Sequence, residues 1–187
     1  MTTATVETFY GILALAAVAL IAVVAGSRAA ATVSDRAADV HDSIARVMRP
    51  NALGLAFVVA VLATAGSLYF SEVAHFEPCL LCWYQRIAMY PLVLILGLGT
   101  LRRDRAVAVY AGVLAAIGMT ISAYHLALEW FPALSTGACD PSAPCTLVWF
   151  RVFGFISLPT LAFIAFALIL TVLALGRPAA TIDREST

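Results

Sequence analysis

The four cysteines of this 187-residue chain fall into two close pairs. Cys79 and Cys82 bracket Leu80 and Leu81 in a C-x-x-C, a spacing that lets two sulfurs close a small redox-active ring or supply half of a zinc site. Pro78 precedes the pair, and an apolar helical stretch begins at or just after it. Cysteines at a helix N-terminus face the positive end of the helix dipole, which lowers the thiol pKa and favours the reactive thiolate. Arg86 follows Cys82 by four residues, so on a helix it lies on the same face one turn deeper. There it would stabilise a Cys82 thiolate, and also an anionic, partly reduced electron acceptor beside that sulfur. An Arg at a membrane boundary is costly and usually functional, although a side chain of this length also reaches headgroups by snorkelling.

Cys139 and Cys145 lie in Thr136-Gly137-Ala138-Cys139-Asp140-Pro141-Ser142-Ala143-Pro144-Cys145, a turn-rich run of prolines and small residues. The spacing permits a local disulfide. As a static staple it would contribute modestly, because the stabilisation grows with the length of the closed loop. Exposed, flexible disulfides are more often the labile kind. One pair beside the membrane and one on a mobile loop therefore read as a relay. Zinc is the competing use: C-x-x-C fits a structural site, whereas C-x5-C is loose and an exported loop is an unusual place for it. No metal ligand is assigned. Among the histidines, His41 reads as solvated and His75, beside Phe76 and Glu77, as interfacial. His125, near the end of an apolar stretch, either faces the bundle and donates to a bound acceptor's carbonyl or is satisfied by packing. Trp83 and Tyr84 read as interfacial aromatics.

These residues must be positioned by apolar helices. Hydrophobic residues make up 63% of the chain and charged residues 12%, against about 25% charge in a soluble domain. Mean hydropathy is +0.96. With a net charge of +0, nothing points to a nucleic-acid partner. The apolar residues are blocked into windows at 8–26, 52–70, 84–101, 106–128 and 154–176, each near the roughly 20 residues a transmembrane helix needs. The expected fold class is all-α, a polytopic membrane protein. The first window reads as a retained helix: Met1 to Thr8 hold no basic residue, and the positive charge, Arg28, follows the apolar run. Arg-bearing short connections stay cytoplasmic. Nine of the 11 basic residues fall in 27–51, the turn at Arg102, Arg103 and Arg105, and the tail with Arg177 and Arg184. With this number of spans those segments share one side. The N-terminus is then outside, the C-terminus inside, and all the cysteines face the oxidising compartment, where disulfides persist. Between the first two spans, Val33, Val40, Ile44 and Val47 recur at helical spacing in a charged background. This segment reads as an amphipathic helix on the cytoplasmic surface or a solvated linker helix.

The run Cys79-Leu80-Leu81-Cys82-Trp83-Tyr84-Gln85-Arg86 resembles the DsbB family of disulfide-bond formation membrane proteins. Trp83-Tyr84-Gln85-Arg86-Ile87 and Met89-Tyr90-Pro91-Leu92 are similar to its BdbC-like branch. Further matching runs are Gly66-Ser67-Leu68-Tyr69-Phe70-Ser71-Glu72, Ala123-Tyr124-His125 and Gly154-Phe155-Ile156-Ser157-Leu158-Pro159. The resemblance implies a four-helix transmembrane bundle in the bacterial cytoplasmic membrane with two outer disulfides. It also implies a bound quinone, ubiquinone or menaquinone, from the respiratory-chain pool, and a DsbA-like thioredoxin-fold partner. The catalytic set it implies is Cys79, Cys82, Cys139 and Cys145. The partner's thiolate attacks Cys139, Cys145 is released to attack Cys79, and Cys82 passes electrons to the quinone. Arg86, Gln85 and His125 are the implied quinone-binding residues. The chemistry is coherent: exchange needs an accessible disulfide first and a stabilised thiolate last, and quinone reduction needs a cation near the developing charge.

Two departures stand out. The family core occupies 52–176, so residues 1–30 form an extra N-terminal transmembrane helix, 31–51 a cytoplasmic amphipathic linker and 177–187 a cytoplasmic tail. Deletion of 1–30 is expected to leave the chemistry largely intact. The outer loop is also short, with its cysteines close together. Two alternatives are a vitamin-K-epoxide-reductase-like quinone-linked oxidoreductase and a membrane metal-binding protein using the thiolates; a structural protein with stapled loops is a third.

Overall fold

Inside a bilayer every backbone N–H and C=O must be bonded within its own segment, which makes long apolar runs helical. The computed structural model describes residues 2–135, 137, 139–140 and 143–176, and the tail at 177–187 lies outside the described residues. Among the described residues six α-helices follow in order: α1 (Thr3–Ala30), α2 (Asp35–Met48), α3 (Ala52–Leu68), α4 (Leu80–Arg102), α5 (Val107–Trp130) and α6 (Leu158–Gly176). Among the described residues 5 helical stretches are long and apolar enough to cross a membrane: α1, the continuous Asp35–Val73 stretch containing α3, α4, α5 and α6. The protein is an all-α, multi-pass membrane bundle with an additional N-terminal helix.

Helices α3, α4, α5 and α6 form a closed ring, each packed on the next and α6 back on α3. The ring closes over Ala52, Ala56 and Ala60 of α3, Leu92 and Leu96 of α4, Ala111 and Ala115 of α5, and Phe166 and Ile169 of α6. Small residues let membrane helices approach closely, where van der Waals packing must replace the hydrophobic drive. Gly118 is the tightest case: a Cβ there would collide with the Phe166 ring. Outside the ring, α1 packs against α6. Its Tyr10 hydroxyl donates to the Leu62 carbonyl of α3 at 3.1 Å. At the opposite end α2 packs on α1 and α6, where Ala45 and Ile44 join Val24 of α1 and Leu175 of α6. The apolar stripe read on this segment divides: Ile44 turns inward, whereas Val40 and Val47 stay exposed and Val33 precedes the helix.

The helix ends refine the sequence windows. Helix α4 starts at Leu80, immediately after Cys79. It ends on Arg103, whose left-handed backbone (φ 53) reverses the chain into α5. Helix α3 runs on into a π-helical turn over Tyr69–Val73. Helix α6 starts at Leu158, not 154, because Val152 and Ile156 pair across a turn with Phe153 and Gly154 at positive φ. Alternating helix directions bring both cysteine pairs to the end of the bundle that holds the N-terminus of α1. Arg28, Arg49 and the Arg102–Arg105 turn lie at the other end.

Candidate active site

Cys79 is the N-cap of α4, and its sulfur accepts the Cys82 backbone N–H at 3.4 Å. The two sulfurs lie 2.8 Å apart as free thiols; a disulfide is about 2.05 Å long, so ring closure needs little movement. His125 of α5 reaches across with Nε2 3.7 Å from Cys79 Sγ. Its Nδ1 is 3.0 Å from Gln85 Nε2. With the Gln85 amide donating, Nδ1 accepts and the Nε2–H points at Cys79. Cys79 therefore sits well below the usual thiol pKa, first through the hydrogen bond from the Cys82 thiol and then through His125, against the opposing effect of burial. The sequence reading put the stabilised thiolate on Cys82 beside Arg86. Hydrogen bonding instead favours Cys79, because the dithiol and His125 both donate to that sulfur.

Cys139 and Cys145 are joined in a disulfide. Its halves differ: Cys139 is partly exposed, whereas Cys145 is only 2% exposed. Cys145 shares an apolar cluster with Cys79, Leu81 and Leu128, with Cys82 and Cys139 packed on its edge. An exposed disulfide on a mobile loop was expected. The loop is short enough that one sulfur is instead pressed onto the dithiol. A cavity of about 70 Å³ lies beside the dithiol, lined by Cys79, Cys82, His125, Glu129, Pro144 and Leu147 among others.

Glu129 is the functional candidate that the sequence reading missed. It is buried one turn beyond His125 on α5 and accepts a 2.6 Å hydrogen bond from the Ser157 hydroxyl. The available signal was an acid inside an apolar span, which by default marks a functional position. Ser67 is the second omission, although it lies in the Gly66 to Glu72 run. It accepts from Arg86 Nε through its hydroxyl at 3.1 Å and from Arg86 Nη2 through its carbonyl at 3.1 Å. Its hydroxyl also lies 3.2 Å from the Tyr90 hydroxyl. The Arg86 guanidinium also stacks over Trp83, 5.0 Å from the ring centroid, so Trp83 does more than mark the interface.

On the other side of Cys82 lies a second cavity, of about 390 Å³. Its polar lining comes from Cys82, Gln85, Arg86, Ser67, Ser71, Glu77, Tyr90 and Tyr10, and the rest is apolar. Phe70, Phe76 and Trp149 also border it, with Phe76 stacked on Trp149 at 4.8 Å and on Phe70 at 5.8 Å. A small apolar-bodied ligand with polar edges suits this shape. A quinone fits the donor set: a flat ring with acceptor carbonyls would meet the guanidinium N–H groups beyond those bound to Ser67, with a reactive sulfur alongside. Gln85 and Arg86 border this cavity, whereas His125 borders the smaller one with Cys79. As for metals, one donor atom each from Cys79, Cys82 and His125 lie within 4.8 Å of one another. That set would suit a soft divalent ion, whereas Cys139 and Cys145 are committed to each other.

Fold and site together define a multi-pass membrane protein that stacks a helix-capping dithiol against a loop disulfide at one end of its spans. Residues 49–176 match the family described as "Disulfide bond formation protein DsbB", and the chain belongs to that family. It is similar to "Probable disulfide formation protein C 2" of Bacillus anthracis, 42% identical over 70% of this chain and 94% of the relative. It is also similar to "Probable disulfide formation protein C" of Halalkalibacterium halodurans, 50% identical over 60% of this chain and 83% of the relative. "Disulfide bond formation protein C" of Bacillus subtilis is 48% identical over 64% of this chain and 87% of the relative. No solved structure matches the chain. Helices α1 and α2 precede the family-matched region.

Proposed function

We propose that this protein is a quinone-coupled thiol oxidase that reoxidises a DsbA-like thioredoxin-fold partner and so supports disulfide formation in exported proteins. The observation that carries this reading is the position of Cys82: it belongs to a dithiol that shares an apolar cluster with a disulfide on one side and borders an apolar cavity with Arg86 on the other. Arg-rich connections lie at the opposite end of the bundle, which supports a bacterial cytoplasmic-membrane orientation with the cysteines outside, the N-terminus out and the C-terminus in.

The cycle starts with the Cys79–Cys82 pair oxidised. A partner thiolate attacks Cys139, the more exposed sulfur; the Cys139–Cys145 bond breaks, a mixed disulfide forms and Cys145 leaves as a thiolate. Cys145, already against Cys79, attacks it and expels Cys82 as a thiolate. The partner's second thiolate displaces Cys139 and closes the partner's own disulfide. Cys139 then attacks Cys145, restoring the loop disulfide and releasing Cys79 as a thiolate. One partner dithiol has become a disulfide, and the inner pair has become a dithiol. Arg86 and Gln85 would hold a quinone in the large cavity beside Cys82, where it would supply the two-electron oxidation that returns the inner pair to a disulfide. His125, held by Gln85, keeps its Nε2–H on Cys79 and stabilises charge there. The proton between the two sulfurs can pass from Cys82 to Cys79, which moves negative charge to the sulfur facing the cavity and Arg86. The aromatic stack and apolar walls keep water from that sulfur.

The test uses purified protein in detergent, a reduced thioredoxin-fold dithiol protein and a soluble quinone analogue, followed by quinone absorbance. Catalytic loss of quinone that requires both Cys79 and Cys139, removed in turn by Cys79→Ser and Cys139→Ser, is the expected result. No quinone loss from a folded preparation that contains zinc bound by Cys79, Cys82 and His125 would overturn the oxidase reading in favour of a metal site.

A further inference from the structure

Helix α1 lies before the family-matched region 49–176, and from sequence alone it is separable from the chemistry. The structure argues otherwise. The cavity that borders Cys82 and Arg86 is closed on one side by α1, through Tyr10, Leu13, Ala14, Ala16, Ala17 and Leu20. At about 3.6 residues per turn these positions share one side of the helix, with Ala16 at its edge, so a single face is committed to the cavity. The opposite face, with Ile12, Leu15 and Val18, is exposed, as a lipid-facing surface would be.

The helix is fastened at both ends. At the cysteine end the Tyr10 hydroxyl holds the Leu62 carbonyl at 3.1 Å. Its ring occupies the space left by the missing side chain of Gly66, where a Cβ would lie 2.6 Å from Tyr10 Cζ. Gly11 likewise sits against Val152, where a Cβ would lie 2.8 Å from Cγ1. At the far end Val24 and Leu20 are packed with Ala45 and Leu175. Between these fastenings the short side chains of Ala14 and Ala17 leave the cavity open. The polar groups that would engage a quinone ring are Cys82, Gln85 and Arg86 on α4. The wall formed by α1 is apolar apart from the Tyr10 hydroxyl, which is already bonded to the Leu62 carbonyl, and this suits the isoprenoid chain.

We infer that α1 is a structural wall of the quinone site, with Ala14 and Ala17 forming the surface against which the quinone's apolar chain lies and Tyr10 the latch that holds the wall in place. The inference rests on the quinone reading above and adds to it a binding surface outside the family-matched region. A membrane lipid's acyl chain shares the chemistry of the isoprenoid chain, so the test must separate the two.

The probe is a decyl-substituted benzoquinone, its dissociation constant read by quenching of tryptophan fluorescence in the full-length protein; Trp149 borders the cavity. Ala17→Phe fills the cavity from α1, and overpacking of this kind is expected to weaken binding by about tenfold or more. Val18→Phe, on the exposed face of the same helix, and thiol exchange at Cys139–Cys145 should both stay at wild-type values. A photoactivatable form of the same quinone gives a readout that needs no substitution. It should label the first tryptic peptide, ending at Arg28, and excess unlabelled quinone but not excess phospholipid should suppress that label. If wild type binds the quinone and Arg86→Ala weakens it while Ala17→Phe does not, or if labelling avoids this peptide or yields to phospholipid, α1 is only a packed helix and the inference falls alone. If wild type binds no quinone, the oxidase reading falls as well.

Discussion

Between Cys79 and the middle of the bundle, α4 and α5 meet twice in different ways. Near the cysteines they face each other through Gln85, His125 and Glu129, all buried, with Ser157, just before α6, completing the group. A few turns away the same two helices meet through Leu92, Leu96, Ala111 and Ala115. The second contact is pure packing and tolerates no loss of volume without a drop in stability. The first places ionisable and amide groups where a bilayer disfavours them, and it holds only because each finds a partner. The polar contact sets the charge on Cys79; the apolar contact sets the distance at which those polar groups meet. One region carries chemistry at the expense of packing, and the other holds the frame. Substitutions should therefore separate them.

The largest effect is expected at Cys82. Cys82→Ser should reduce quinone turnover to background, while Cys139–Cys145 still forms a mixed disulfide with a dithiol partner, scored by trapping on a non-reducing gel. Loss of the mixed disulfide as well would mean that the two pairs do not act separately. Arg86→Ala should follow, lowering quinone turnover by about 10² to 10³ as for other groups that stabilise developing negative charge. Its thiol exchange should stay close to wild type, and equal quinone kinetics in the variant and wild type would remove Arg86 from the site. On the apolar side, Leu96→Ala should cost about 2–5 kcal/mol of stability, measured by denaturant titration in detergent. Turnover per folded molecule should not change; a fall comparable to that of Arg86→Ala would break the division between frame and site.

The smallest effect is a displacement along the pH axis. Because the folded-state pKa of Cys79 is depressed, its thiolate, and the stability it contributes, is present above the ordinary thiol pKa and is lost only as pH falls through the lowered value. In the reduced protein, the thiolate absorbance at 240 nm that Cys79→Ser removes should persist at about pH 6, where an ordinary thiol near 8.5 is protonated. His125→Ala should move that titration upward. A Cys79 titration unchanged by His125→Ala would confine the effect to the Cys82 hydrogen bond.

Much of this was legible before the fold was known. The positions of the spans follow from the length of each apolar run, since a helix must satisfy its own backbone in a bilayer. That both cysteine pairs share an end follows from alternating span direction. That the C-x-x-C sits at the start of α4 follows from where the apolar run begins, and that Cys82 and Arg86 share a face follows from helical spacing. These are local or counting properties, and local properties survive in any packing. What the tertiary structure alone decided is how each helix is turned about its axis. The spans are apolar all round, so no polar face fixes their rotation; close contacts such as Gly118 on Phe166 and Gly66 on Tyr10 fix it instead. That rotation turned His125 onto Cys79, fastened Arg86 to Ser67, buried Glu129 beside Ser157, pressed Cys145 against the dithiol and made α1 one side of the cavity.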